Sequence, residues 1–199
     1  VTSDASGTVE SVLSSVYLVN PDGRATLADA SDLTDIKNVA GNEAPLEQDG
    51  AWVFQADGED VCYQGAASES LPIEMRVRYE LDGKAISPAE LAGQSGHVKV
   101  TVAYVNRLLS DAEVNGETVQ LYTPFTVMTI IALDEGFQRV TCQDAKTMSE
   151  AGSVTVVGTT FPGLAHNLDA DATGKLSESF SFEADVKHFS LESIMAVVM

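Results

Sequence analysis

An acidic loop near the end of the chain, NLDADATGKLSE, spaces oxygen-bearing side chains as a calcium-binding loop does. Positions 1, 3, 5, 7 and 12 of that pattern are occupied, in order, by Asn167, Asp169, Asp171, Thr173 and Glu178. The match is incomplete, because position six holds Ala172 where the sharp turn needs glycine, and Gly174 comes two residues later. The loop therefore predicts either a calcium site or a solvated acidic hairpin.

The chain has two cysteines, Cys62 in DVCYQG and Cys142 in RVTCQD, and each lies in a segment that reads as a strand. An extracytoplasmic domain could keep them as one disulfide, but spacing alone does not show that their Cβ atoms meet. Two free, partly buried thiols are the equal alternative. Neither cysteine has a CxxC partner or a neighbouring histidine, so the sequence predicts no zinc or redox centre.

Catalytic signatures do not appear around the other candidate residues. The three histidines, His97, His166 and His188, have no second histidine or cysteine at ligand spacing. The chain contains no HExxH, GxSxG, GxGxxG or GxxxxGK[ST] motif. We therefore expect no enzymatic activity and no cofactor other than calcium. A cell-wall hydrolase, with two carboxylates about 5–10 Å apart across a cleft, is the remaining enzymatic hypothesis.

The charge balance narrows the choice of partner. Asp and Glu number 30 against 11 Lys and Arg, which gives a formal net charge of -19. A surface with this much negative charge repels nucleic-acid backbones and anionic membrane surfaces. Neither is therefore an expected partner. No apolar run approaches the roughly 20 residues that cross a bilayer. An unknown protein or a cell-wall component is the expected partner, and any membrane attachment is expected through segments outside this chain.

Alternation of apolar and polar residues is the dominant pattern. In LPIEMRVRYEL and HVKVTVAYV the apolar residues occupy every second position, which predicts strands with one buried face. Asp82-Gly83 lies between these segments and predicts a tight hairpin turn. TPFTVMTIIAL is more uniformly apolar, and we expect a strand with both faces buried. SVTVVGTTF and SFSFEADV alternate again, so much of the chain reads as short strands separated by turn residues.

Helix signals are few. Ser87 precedes proline at the first helical position, and Glu90 follows three residues later, which is a capping box. This predicts one short helix at Ser87–Ala92, and a second short helix is suggested at Asp32–Val39. The fold class is therefore all-β, an antiparallel β-sandwich. An immunoglobulin-like outline and a division into two subdomains near residues 41–50 stay open, with residues 1–8 a linker and residues 9–199 the domain.

The order of segments resembles a known family. YQG at Tyr63–Gly65 is followed by LP and then by YELDGKAISPAELAGQSGHVKVTVAYVN. With SVYLVN before it and FPG and FEADVKHFSLESIMA after it, this arrangement resembles the extracytoplasmic region of the YhgE/Pip-like (phage infection protein-like) membrane proteins of Gram-positive bacteria. The resemblance spans about Val9 to Ala196. The loop LLSDAEVNGETVQ and the acidic loop depart from the usual pattern.

The resemblance implies a place and a role for the chain. Proteins of that family carry a β-rich module between a membrane anchor and a region of heptad repeats, and no established catalytic residues carry over. We therefore expect a non-enzymatic domain on the extracellular face of a cell membrane, acting as a spacer, an assembly module or a receptor-like surface. A glycan- or calcium-binding module is the alternative, and Trp52, the only tryptophan, is expected in the core.

Overall fold

The regular secondary structure of the chain is almost entirely antiparallel strand. The structure, a computed structural model, describes residues 1–41, 43–68, 70–150, 153–168 and 176–199. Strands make up 59% of the chain and helices 4%, so the prediction of an all-β, sandwich-like fold with little helix is confirmed. The cause is the period-two pattern, which gives each strand one apolar face that must pack against another sheet. Over the described residues, no helix has both the length and the apolar character needed to span a bilayer.

Two compact units divide the chain. The first comprises Val1–Asp4 and Val9–Ser70, and the second comprises Ala5–Thr8 and Leu71–Met199. The boundary therefore follows Ser70, whereas the sequence suggested a break near residues 41–50, which lie inside the first unit. The Asp49-Gly50 turn joins two consecutive antiparallel strands there, so the turn-rich composition of that segment marks a hairpin instead of a domain boundary.

The expected linker at residues 1–8 is structured. Thr2 and Ser3 form a strand that pairs with the strand following the predicted linker, through Thr2↔Ser11 and Ser3↔Val9. Ala5–Thr8 belongs to the second unit, in which the backbone N–H of Val77 donates to the carbonyl of Ser6 over 2.8 Å. Small polar residues suggested a linker because their side chains bury little apolar surface, but their backbone groups are paired.

Unit 1 contains two three-stranded sheets and one separate pair of strands. Its described strands are β1 (Thr2–Ser3), β2 (Val9–Ser11), β3 (Leu13–Leu18), β4 (Thr26–Asp29), β5 (Thr34–Asn38), β6 (Leu46–Gln48), β7 (Ala51–Gln55) and β8 (Val61–Ala66). Strands β3, β8 and β5 form one three-stranded sheet, and β4, β7 and β6 form another. Phe54 of β7 stacks on Tyr63 of β8 with ring centroids 4.7 Å apart, and Trp52 packs half-buried against the same core. The core prediction for Trp52 is thus met only in part.

The helix suggested at Asp32–Val39 is wrong. Strand β5 occupies this segment and pairs with β8 through Lys37↔Gln64 and Asn38↔Tyr63. A bulge interrupts the pairing, where Asp35 adopts a left-handed φ of 52°. The helical signal was weak, and pairing with a buried strand outweighs local propensity of that size.

Unit 2 is the larger sandwich. Its described strands are β9 (Ile73–Leu81), β10 (Lys84–Ile86), β11 (Gly96–Asn106), β12 (Leu109–Val114), β13 (Glu117–Tyr122), β14 (Val127–Leu133), β15 (Phe137–Gln143), β16 (Ala145–Glu150), β17 (Ser153–Thr160), β18 (Ser179–Val186) and β19 (Ile194–Val198). The short helices α1 (Pro88–Leu91) and α2 (Leu164–Asn167) lie between strands. One sheet has the order β10-β9-β11-β18-β15, and the other has β16-β17-β14-β19.

The two sheets of unit 2 share one hydrophobic core. Val98, Val100 and Val102 of β11 are completely buried, as their alternation predicts. The phenol of Tyr104 on β11 and the hydroxyl of Thr129 on β14 form a 2.7 Å hydrogen bond that links the sheets. The expectation that both faces of β14 are buried is wrong, because its residues alternate between buried positions and partly or fully exposed ones.

The helix cap and the tight turn predicted from the sequence are both present in the structure. Ser87 caps α1, its hydroxyl accepts from the backbone N–H of Glu90, and the Glu90 side chain reaches back to the cap, so the predicted capping box is confirmed. Asp82-Gly83 joins β9 to β10 with positive φ at both residues. The segment expected to be an inserted loop is instead the hairpin β12–β13, which closes at Asn115-Gly116.

Candidate functional site

The outer face of the five-stranded sheet concentrates ionisable side chains. This surface, called here the charged face, consists of Glu74, Arg76, Arg78, Glu80, His97, Lys99, Arg107, Arg139, Glu183 and Asp185. Five of the chain's 11 Lys and Arg residues lie on it. In a chain of net charge -19, this face is thus a locally balanced surface of both signs.

Sheet register brings these side chains together. On β11 the residues that alternate with the buried valines point outward, and β18 lies beside it with His97 opposite Asp185 and Lys99 opposite Glu183. Residues directly opposite on antiparallel strands have Cβ atoms about 4.5–5.5 Å apart on the same face, within reach of an ion pair. The charged face follows from register and is not visible in any one segment.

His97 lies between two carboxylates of β18. Its Nδ1 is 2.9 Å from Oδ1 of Asp185, and its Nε2 is 3.4 Å from Oε2 of Glu183. Lys99 approaches the other oxygen of Glu183 at 3.4 Å, and the guanidinium of Arg139 contacts the other oxygen of Asp185. Arg139 reaches this position from a β-bulge on β15, where its φ is 54°. The five side chains form one continuous network over three strands.

A second cluster surrounds Glu74 on β9. Nε of Arg76 donates to one carboxylate oxygen over 2.7 Å, and Nε of Arg107 donates to the other over 2.9 Å. The hydrogen bonds from Arg76 and then from Arg107 lower the pKa of the Glu74 carboxyl. This carboxylate is therefore held ionised in a cationic setting, which suits a structural or binding role and not that of a proton donor.

The geometry of the charged face limits its chemistry. Each ring nitrogen of His97 faces a carboxylate, so neither is directed at a hydroxyl or thiol nucleophile. Among the described residues, no group of three or more His, Cys, Asp or Glu side chains is arranged to hold a metal ion. A rigid sheet surface with fixed charges of both signs can bind a macromolecule of complementary charge pattern.

The predicted calcium-loop residues divide into two groups. Asp169, Asp171 and Thr173 lie outside the described residues. The amide of Asn167 bonds both backbone groups of Tyr122 on β13, accepting from its N–H and donating to its carbonyl over 2.8 Å each. Oε1 of Glu178 accepts from the N–H of Gly163 over 2.8 Å. The side chains at the first and last positions of the pattern thus hydrogen-bond to backbone groups, and the calcium site stays a prediction.

The two cysteines are free thiols in this structure. Cys62 lies on β8 in unit 1, on the face opposite to the buried Val61 and Tyr63. Cys142 lies on β15 in unit 2, packed half-buried against the core, and burial raises the pKa of its thiol. The two thiols belong to different units, and the disulfide that the sequence left open stays a prediction.

The other two histidines lie apart from the charged face. The ring of His166 meets that of Tyr122 edge-on with centroids 5.4 Å apart, and its Nε2 lies 3.2 Å from the Gln120 carbonyl. The ring of His188 lies beside the backbone of Gly93. The His166 side chain is therefore packed and hydrogen-bonded, and that of His188 makes a packing contact.

An open depression of about 390 Å³ lies on the four-stranded sheet at the start of β16. Asp144, Ala145, Lys146, Val157 and Thr159 line it. It contributes one carboxylate, whereas glycoside hydrolysis needs two. The depression therefore does not supply the arrangement that the hydrolase hypothesis requires.

The chain matches no protein-family model, no curated protein and no solved structure.

Proposed function

We propose that this chain is a non-enzymatic extracellular domain of a membrane-anchored bacterial surface protein, and that it serves as an assembly or receptor-like module. The observation that supports a binding role most directly is the charged face. Its ion pairs bridge β11, β15 and β18 of one sheet, and they fix charges of both signs in a defined pattern. A fixed pattern of that kind favours recognition of one partner over others.

Location is the part of the proposal that comes from the resemblance to the YhgE/Pip-like proteins of Gram-positive bacteria. It is tested in the native cell with the parent protein. Glu113 on β12 is exposed, so Glu113→Cys in a Cys62→Ser/Cys142→Ser background gives one accessible thiol. A membrane-impermeant maleimide should label this thiol in intact cells. Labelling only after lysis would overturn the extracellular assignment.

The binding role is tested by crosslinking from the charged face. Thr101 lies within this face, opposite Arg78 of β9 and Ser181 of β18, and accepts a photoreactive amino acid without loss of a charge. Met148, on the edge strand β16 of the other sheet, is the matched control position. We expect a discrete adduct in intact cells from position 101 and none from position 148. No adduct from position 101 would contradict a receptor-like or assembly role for this face.

A further inference from the structure

Strand β19 leaves one edge of the four-stranded sheet open. Within the described residues it pairs with β14 alone, in the register Val127↔Val198 to Ile131↔Ile194. The backbone groups of Met199 exchange both hydrogen bonds with Thr126, next to β14. Because bonded and non-bonded pairs alternate along an antiparallel ladder, Val197 and Met195 also bond to β14. The N–H and C=O groups of Ile194, Ala196 and Val198 therefore point away from the sheet.

This edge differs from the other three edges of the two described sheets. Natural edge strands are shortened, bulged or charged, which prevents pairing with another chain. Strand β10 has three residues and carries Lys84, β15 has the bulge at Arg139, and β16 carries Lys146. Strand β19, IMAVV, has no charge, no proline and no bulge. It alone among these edges lacks a protective feature.

Both faces of β19 expose apolar side chains. Met195 and Val197, on the outer face, are 61% and 40% exposed. Val198 lies opposite Val127, so the two side chains point to the same face of the sheet. Val127 is completely buried in the sandwich, yet Val198 is 45% exposed. A strand that continues this sheet must therefore be apolar on both faces.

We propose that β19 pairs with β19 of a second copy of this chain, antiparallel and about a two-fold axis at Ala196. The strand itself has the required chemistry, because each residue from Ile194 to Met199 is apolar. The axis places Ala196 opposite its own copy, Ile194 opposite Val198, and Met195 opposite Val197. The outward backbone groups of the two strands then bond each other, and two four-stranded sheets become continuous. The surface is separate from the charged face.

Net charge gives this association a recognisable salt dependence. Two chains of charge -19 repel one another, while the contacting segment 194–199 carries no charged side chain. Salt screens the repulsion and leaves the apolar and backbone contacts in place. Dimerisation therefore strengthens as ionic strength rises, which is opposite to the behaviour of an interface held by ion pairs between unlike charges.

Sedimentation of the 199-residue chain over a wide concentration range tests the proposal. We expect a monomer–dimer equilibrium that Ala196→Pro weakens by at least about tenfold, since proline removes an N–H that faces only the copy. Met195→Lys should weaken it too, whereas Met148→Lys on β16, at a residue of similar exposure, should not. A monomer at every concentration, an open-ended polymer, or equal weakening by Met148→Lys would overturn the proposal.

A crosslink tests the register independently of affinity. In a Cys62→Ser/Cys142→Ser background, Ala196→Cys places two thiols on residues whose Cα atoms are about 5.5 Å apart across the axis, within disulfide reach. Mild oxidation should yield a covalent dimer from Ala196→Cys and none from Met148→Cys. Equal yields from the two variants would show random collision and overturn the proposed pairing.

Discussion

Gly158 on β17 lies where the two sheets of unit 2 pack closely. A Cβ atom built there lies 2.4 Å from two ring carbons of Phe180, whereas ordinary contacts of this kind are 3.4–4 Å. Phe180 belongs to β18 in the facing sheet and is only 2% exposed, so its ring has no solvent to turn into. Gly158→Ala must therefore shift the ring or the backbone by about an ångström inside a close-packed core.

Overpacking of this kind costs about 1–3 kcal/mol, so the opening equilibrium of unit 2 should increase by about 5- to 160-fold. The only tryptophan lies in unit 1, so the assay must follow unit 2 through another probe. Amide hydrogen exchange of β11 serves this purpose, because β11 pairs on both sides and exchanges only when unit 2 opens. Its exchange rates should increase by the same factor.

A control variant and a compensating variant test the Gly158 prediction further. Gly136→Ala is the matched control, because the nearest atom to its new Cβ is the carboxylate end of exposed Asp134, which can turn away. Turning it away breaks the hydrogen bond that Oδ1 of Asp134 accepts from the Gly136 N–H, so the cost at this exposed site should be at most about 1 kcal/mol. Phe180→Leu should relieve the overlap, so that the double variant Gly158→Ala/Phe180→Leu costs less than the sum of the two single changes. Additive costs, or no change for Gly158→Ala alone, would refute the facing-sheet geometry.

Other consequences follow from single contacts of unit 2 and from the acidic loop. Tyr104→Phe leaves the buried Thr129 hydroxyl without its partner and should cost about 1–3 kcal/mol, whereas Tyr104→Phe/Thr129→Val should recover most of this loss in chemical denaturation. Burial raises the pKa of Tyr104, so the unfolded chain ionises first and stability should fall above about pH 10, less so in Tyr104→Phe. Ser87→Ala should cost about 1 kcal/mol through loss of the α1 cap. Hydrogen bonds from Ser87 lower the pKa of Glu90 in the folded chain. The contribution of this carboxylate to stability is therefore complete above its unfolded pKa and should be lost as the pH falls through the lower folded pKa. Chemical denaturation at a series of acid pH values measures this loss. A calcium site in the acidic loop predicts heat on calorimetric titration with Ca²⁺, and the absence of heat would end that hypothesis.

Local patterns carried most of the fold prediction. Alternation in β9, β11 and β18 predicted which side chains are buried, because a strand has only two faces. The Asp82-Gly83 turn and the Ser87 cap were predicted correctly, since each depends on a few adjacent residues. The helix suggested at Asp32–Val39 failed because partner strands decide such short segments.

The domain boundary and the charged face could not be predicted in the same way. The boundary after Ser70 depends on which strands pair at long range, and turn residues near 41–50 are equally compatible with a hairpin. His97 and Asp185 are 88 residues apart in sequence and meet only through the β11–β18 register. The available signal was that basic residues on β11 and acidic residues on β18 alternate with apolar ones, and the sequence alone did not say that these strands are neighbours.

Both the two-sheet sandwich and the proposed dimer require β19 to be a bare edge strand, and residue-resolved amide hydrogen exchange of β19 tests this directly. In a dilute solution of the chain, the amides of Val197 and Met199 should exchange slowly because they bond to the β14 side. The amides of Ala196 and Val198 should exchange rapidly. At high concentration and high salt, Ala196 and Val198 should become protected. Uniformly rapid exchange along β19 would contradict its pairing with β14. Protection of Ala196 and Val198 in the dilute monomer would contradict an open outer edge.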